Sequence, residues 1–222
     1  METLEHIPIE LDPVEIGRKL HLNSSEDVQA LIETAQPLLK AKAGYRVCYV
    51  EARFEDAVVL DGARFTSRVL RTNLEGVERT FLYVVTIGRE LEDTASACGD
   101  LLKQYYLDIV GNVAVSATRN YLEEYLRNTF GLGGMSKMSP GSLKDWPIRE
   151  QKILFSTLGD VEASIGVALT GSCLMIPRKS VSGIYFPTEI PFLSCQLCSR
   201  ESCPSRQAEY DKGLVAKYGI EK

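Results

Sequence analysis

Apolar and polar positions along the chain repeat with two different periods, and the switches between them mark out its elements. The first twenty residues read as an extended arm with a local proline bend, and "IPIEL" within it has strand-like alternation. "NSSEDVQALIETAQPLL" has the period of a helix. Ser24 is placed to cap it, Asp27 follows at capping-box spacing, and Val28, Leu31, Ile32 and Ala35 share one face. Pro37 kinks or ends that helix, because proline has no N–H to donate and its ring clashes with the preceding turn.

From Tyr45 to Gly88 the pattern is that of strands. "YRVCYVEARF", "AVVLDG", "FTSRVLR" and "FLYVVTIG" are rich in β-branched and aromatic residues and are separated by Gly, Asp and Asn turns. Short connections such as "NLEGVER" favour antiparallel hairpins. The helical period returns from Arg89 to Phe130, with one helix over Glu90 to Lys103 and a longer one from about Tyr105 to Asn128. On the longer helix Ile109, Val110, Val113, Ala117, Tyr121 and Leu126 form the expected core stripe, and Gly111, Ala114 and Ser116 permit close approach.

"GLGGMSKMSPGSLKDWP" is a long loop; "IREQKILFSTLG" is a short helix with Ile153, Leu154 and Leu158 inward. "IGVALTGSCLMIP" and "SVSGIYF" are two further strands, followed by a cysteine-bearing segment and a polar tail. Strands, then helices, then strands again predict an α+β architecture and not alternating βαβ units.

Composition places the chain among globular proteins: 222 residues, 45% hydrophobic and 25% charged, enough to bury a core without disulfides. A net charge of −5 argues against nucleic-acid and membrane partners. The start carries no basic region followed by an apolar run, and "TFLYVVTIG" is far shorter than the ~20 residues a spanning helix needs. The expectation is a cytoplasmic protein with reduced thiols.

Only His6 and His21 are present, both in the N-terminal arm, so neither a histidine-based triad nor a multi-histidine metal site is expected. "GLGG" at 131–134 follows a helix, where glycine ends the element; it does not open one after a strand, as a phosphate-binding loop does. The loop that follows carries Lys137, Trp146 and Arg149, and loops of this length are often functional. In "IPRKSVSG", Arg178 and Lys179 precede two serines and Gly183; the set suits a carboxylate or phosphate, or else a hairpin with a solvated basic tip. Cys48, Cys98 and Cys173 read as small buried hydrophobes, with Cys173 the nearest candidate for a fourth metal ligand.

The remaining three of six cysteines lie in "SCQLCSRESCPSR" (194–206), spaced C-x2-C-x4-C and followed by proline. Two thiolates on one turn can aim at a single centre, and Cys203 returns after "SRES". Cys195, Cys198 and Cys203 therefore suit an iron–sulfur cluster with a non-cysteine fourth ligand, or zinc. Arg200 and Arg206 favour thiolates electrostatically, so a metal-free redox-active dithiol is the alternative.

Two longer strings carry a family likeness: "KMSPGSLKDWPIREQKILFSTLG", then "IGVALTGSCLMIPRKSVSGIYF". They resemble the activation (reactivation) domain of cobalamin-dependent methionine synthase, and "TIGRELE…LDIVGNVAVSA" upstream looks like the helical part of stand-alone relatives of that domain. The resemblance covers roughly residues 80–206 and is most specific over 137–186.

The resemblance implies a single α+β domain over 1–222, with an arm to about residue 22, the cysteine segment near its end, and a twisted, mainly antiparallel sheet flanked by helices. It implies S-adenosylmethionine binding and docking over cobalamin held by a partner, a corrinoid protein or a cobalamin-dependent methyltransferase. There cobalt(II) is reduced by a flavodoxin-like donor and methylated. The chain is then a component of methionine synthase activity and not a complete enzyme. Carried over by position, Lys137 aligns with a ligand-contacting arginine and Ser142 with a ligand-contacting tyrosine. The backbone of Pro140 and Gly141, with Ser180, Ser182, Gly183 and Tyr185, completes the expected pocket. The terminal cysteines look like a feature of the stand-alone relatives. The alternative is an iron–sulfur or thiol-based electron-transfer module on the same fold that no longer binds the methyl donor.

Overall fold

A computed structural model of the chain describes residues 1–203 and 206–220. Its strands are β1 (Glu2–Leu4), β2 (Lys42–Arg53), β3 (Ala57–Leu60), β4 (Ala63–Thr66), β5 (Arg79–Thr86), β6 (Met135–Met138), β7 (Ala168–Leu169), β8 (Met175–Ile176) and β9 (Ser180–Pro187). The helices are α1 (Pro13–Leu20), α2 (Ser25–Ala35), α3 (Arg68–Asn73), α4 (Glu90–Ala97), α5 (Leu101–Phe130), α6 (Gln151–Leu158), α7 (Val161–Ile165) and α8 (Lys212–Lys217). Strand order in the main sheet is β4-β3-β2-β5-β9-β6, with β1 pairing β2, and β7-β8 is a separate hairpin. The fold is α+β with a mainly antiparallel sheet, as the order of periods predicts.

The chain divides into two compact units. The first comprises Met1–Gly44, Val84–Tyr125 and Asp160–Val181. The N-terminal arm is not extended throughout: Asp12 accepts a hydrogen bond from the Val14 N–H at 2.9 Å and Pro13 opens α1. A short polar residue ahead of proline is a strong helix start, and it ends the "IPIEL" stretch, which keeps its alternation in burial: Ile7, Ile9 and Leu11 are buried, Pro8 and Glu10 exposed. Ser24 caps α2 as expected, accepting from the Asp27 N–H at 3.2 Å, and Pro37 lies in a 3-10 turn just beyond its end. Helix α4 stops before Cys98-Gly99, with Gly99 at φ 68°, and α5 begins two residues later because Asp100 accepts from the amides of Leu102 and Lys103. The buried stripe of α5 is Leu107, Val110, Val113, Ala114, Thr118 and Leu122, whereas Tyr121 is exposed and Ile109 and Ala117 are half-buried. Two apolar stripes compete on that helix, and only packing selects between them.

In this unit Arg178 and Lys179 do find carboxylates, but internal ones. Arg178 pairs with Glu92 of α4, while the Lys179 ammonium lies 2.7 Å from Asp108 and 2.7 Å from Asn112 of α5. Gly111 is where the lysine stem crosses the helix: a Cβ there would meet Lys179 Cε at 3.1 Å.

The second unit comprises Tyr45–Tyr83, Leu126–Gly159 and Ser182–Lys222. Here "FTSRVLR" divides between β4 and α3. Ser67 caps α3 by accepting from the Leu70 N–H at 3.0 Å, and a helix start displaces the second half of the expected strand. The expected loop 131–147 contains β6, which pairs antiparallel with β9 so that Lys137 stands opposite Tyr185. Tyr45, Phe65, Phe81, Leu82, Tyr83, Trp146, Leu154, Tyr185 and Phe186 are fully buried and form its core. Among the described residues no helix is long and apolar enough to cross a membrane.

Candidate functional site

The Pro140-Gly141 turn is built by local chemistry. Gly141 has φ 83°, and a Cβ there would meet Ile148 Cδ1 at 2.9 Å, so both conformation and space require glycine. Its N–H donates to the Trp146 carbonyl at 2.7 Å, and the Ser142 hydroxyl donates to the Ser139 carbonyl at 2.7 Å. Trp146, fully buried, meets Phe65 edge-on at 6.4 Å and anchors the loop from below. Asp145 ties the loop to α3 by accepting from the Ser67 hydroxyl, the Arg68 N–H at 3.2 Å and the Val69 N–H at 3.0 Å.

Facing this loop is the C-terminal segment, with a 3-10 turn over Ser194–Leu197 and, further along, α8. Its organiser is Arg206. That guanidinium donates to the carbonyls of Cys195 (3.2 Å), Cys198 (3.2 Å), Arg200 and Ala208 (3.0 Å). Helix α8 is held by the Asp211 N–H to the Gln196 carbonyl at 2.8 Å and by the Tyr218 hydroxyl to Asn73 Oδ1 at 2.8 Å. Burial pushes the Tyr218 phenol up, partly offset by that hydrogen bond.

Between loop and segment is a cavity of about 830 Å3, in the range of small-molecule sites. One wall runs from Gly141 and Ser142 to Pro147 and Ile148; the other holds Leu197, Cys198, Arg200, Tyr210, Val215 and Ile220. Trp146 Nε1, under the cavity loop, and Gln151 Oε1 are buried without a hydrogen-bond partner among the described residues.

The structure thus brings Gly141, Ser142 and Cys198 to one cavity, with Pro140 buried directly behind the turn. Other expected site residues lie elsewhere. The Lys137 ammonium is 5.8 Å from the centre of the Tyr185 ring, and Tyr185, fully buried, stacks on Tyr83 at 4.3 Å. Gly183 is a close-approach position, where a Cβ would stand 2.4 Å from the Met138 carbonyl oxygen. Ser182 is buried and accepts from Gln151 Nε2 at 3.1 Å. Ser180, in the first unit, donates to Thr86 Oγ1 at 3.0 Å and the Pro177 carbonyl at 2.7 Å. Cys195 and Cys203 do not line the cavity; Cys195 Sγ accepts from the Gln207 N–H at 3.4 Å. None of the six cysteines is in a disulfide, and among the described residues no three His, Cys, Asp or Glu side chains converge as a metal set. Cys173, with φ 66°, sits in the β7-β8 hairpin turn of the first unit.

Sequence reasoning missed Lys144, Arg200 and Tyr210 as cavity residues. The signal for the first was the unusual length of the 131–147 loop. The other two carry none, because their segment is irregular and only its fold brings them opposite the turn.

An α+β domain with a ligand-sized cavity beside a Pro-Gly turn is the class this structure defines. Residues 140–202, less than a third of the chain, match the family "Vitamin B12 dependent methionine synthase, activation domain". The matched residues start at the turn and run through α6, β9 and Cys198. A solved structure, "Crystal Structure of the MetH Reactivation Domain bound to AdoHcy", aligns with TM-score 0.56 at 19% identity, covering 84% of this chain and 70% of that one. Residues 140–202 carry that family's pattern, and the chain has the fold of the reactivation domain. No curated protein matches it.

Proposed function

We infer that this protein serves in the reactivation of a cobalamin-dependent methyltransferase such as methionine synthase. The supporting observation is that the family match takes in the whole Gly141–Ile148 wall of the 830 Å3 cavity and residues 197–200 of the wall opposite. Gly141 and Ser142 are the residues of this chain that contact an S-adenosylmethionine-type ligand there, through the backbone of a turn held rigid by Trp146 and Asp145. The cavity's size fits such a molecule. S-adenosylmethionine, when bound, supplies the methyl group for a reduced cobalt. This chain's own part is positioning: it fixes the ligand against the turn and presents it to a corrinoid held by a partner. Lys137, Ser180, Ser182, Gly183 and Tyr185 act in this reading by shaping β6, β9 and the turn, not by touching the ligand.

The test is to mix the protein with a cobalamin-dependent methyltransferase in its cobalt(II) state, a flavodoxin-like electron donor and S-adenosylmethionine. Faster appearance of the methylcobalamin spectrum than without the protein is expected; an unchanged rate sinks the reading.

A second reading has its own observation: Cys195, Cys198 and Cys203 share one segment and none is disulfide-bonded. Free thiols in one segment support a thiol-based electron carrier on this fold. The segment does not fit a metal or an iron–sulfur cluster as folded, because among the described residues no three ligating side chains converge there and the Arg206 guanidinium ties down its backbone carbonyls instead. Iron or zinc in stoichiometric amount in anaerobically purified protein would reverse that judgement.

A further inference from the structure

The cavity's charge is unbalanced. Lys144 and Arg200 both line it and both are exposed, and among the described residues neither is paired with a carboxylate. Among the described lining residues Asp145 is the one carboxylate, and its two oxygens already accept from Ser67, Arg68 and Val69. The rest of the lining is mostly apolar: Leu143, Pro147, Ile148, Leu197, Val215 and Ile220, with the Tyr210 ring. Two uncommitted cations at the mouth of an apolar cavity recognise a molecule with an apolar body and an anionic end. Cys198 stands on the same wall as Arg200, two residues away, and so borders the space the apolar body fills.

We propose that this cavity binds an amphipathic organic anion, that Lys144 and Arg200 hold its anionic group, and that Cys198 is a wall residue covered by the bound molecule. The inference deepens the reading of the turn as a ligand site and rests on it for the identity of the wall. It gives the C-terminal cysteine segment a binding role: Arg206 shapes the segment and Arg200 reads the ligand's charge. The ligand's anionic end is a carboxylate or sulfonate equally well, since both present oxygens to two separate cations.

The probe is 1-anilinonaphthalene-8-sulfonate, titrated by fluorescence into the full-length protein, with N-phenyl-1-naphthylamine as the same rings without the charge. Saturable binding of the sulfonate at about one per chain is expected, with the neutral compound at least several-fold weaker. Bound sulfonate slows N-ethylmaleimide labelling of Cys198, read by peptide mass spectrometry, and leaves the labelling of Cys98 unchanged. Lys144→Ala with Arg200→Ala weakens the sulfonate on the order of ten-fold or more and leaves the neutral compound unaffected. Equal affinity for the two probes, an unprotected Cys198, or full affinity in the double variant each overturns the proposal. The protection measurement uses unmodified protein, so it decides even if the double variant does not fold. S-adenosylhomocysteine titrated in parallel separates the two readings: no binding of it, with the sulfonate still bound, removes the methyl-donor reading and leaves the anion site standing.

Discussion

A Cβ on residue 183 would lie 2.4 Å from the Met138 carbonyl oxygen and 2.9 Å from Ser139 Oγ, closer than any packed contact. The Gly183→Ala protein must separate β6 from β9, or shift the buried Tyr83 ring that lies 3.0 Å away. A loss of about 2–3 kcal/mol is expected, as for overpacking in a tight core, and chemical denaturation measures it. A loss under about 0.5 kcal/mol would mean the strands part easily. The glycine was visible in the sequence as a place of close approach, but what approaches was not: it is a neighbouring strand in place of a ligand. Ser182 and Tyr185 teach the same lesson. Their types suit ligand contacts, and their positions on a strand buried on both faces spend their polar atoms inside the core.

Among the elements, α3 and the cysteine segment depend on single side chains from distant sequence. Asp145 accepts three hydrogen bonds at the start of α3, seventy-odd residues away, next to the local cap from Ser67. Asp145→Ala removes them and should cost about 2 kcal/mol, with Asp145→Asn recovering part because an amide oxygen still accepts. A thermal melt unchanged by Asp145→Ala would show the serine cap suffices. Arg206 plays the matching part for the cysteine segment. Arg206→Ala should raise the labelling rate of Cys198 by about ten-fold, the factor that ~1.4 kcal/mol of lost ordering represents. Arg206→Lys should not restore protection, because an ammonium lacks the planar fork that spans several carbonyls. Equal labelling in Lys and Arg proteins would contradict this. From sequence the two arginines of this segment served as generic positive charge near thiols. That one is an internal organiser and the other lines a cavity is a difference of geometry, with no mark in composition.

For the molecule as a whole, stability at high pH sums the protons that folding retains. Burial, then the nearby Asp61 carboxylate, pushes the Cys48 thiol from an ordinary 9.0 up to about 12, and burial also raises Tyr218. Above pH 9 the unfolded chain releases the Cys48 proton while the folded chain keeps it. The unfolded state then binds fewer protons, so stability falls as pH rises, by up to about 1.4 kcal/mol per pH unit from this thiol. The loss begins near pH 9, where the unfolded thiol titrates, and ends near 12. Urea midpoints from pH 7 to 10.5 should drop accordingly, and Cys48→Ala should flatten the decline; an equal decline in both proteins would remove Cys48 as its cause. The placement of Cys48 as a small buried hydrophobe, read from its strand, agrees with full burial.

The sequence by itself determined the α+β class, the capped start of α2, most strands, the Pro-Gly turn and the resemblance to the activation domain. All of these are written in local periodicity, turn chemistry or a contiguous string. Only the tertiary structure decided which stripe of α5 is buried, that β6 runs through the long loop, and that Arg178 and Lys179 answer to internal carboxylates. It alone placed Cys198 and Arg200 opposite Gly141 and Ser142, and turned Arg206 inward. Those outcomes depend on which residues meet across dozens of intervening positions, where packing and hydrogen-bond satisfaction choose among partners that local propensity treats alike.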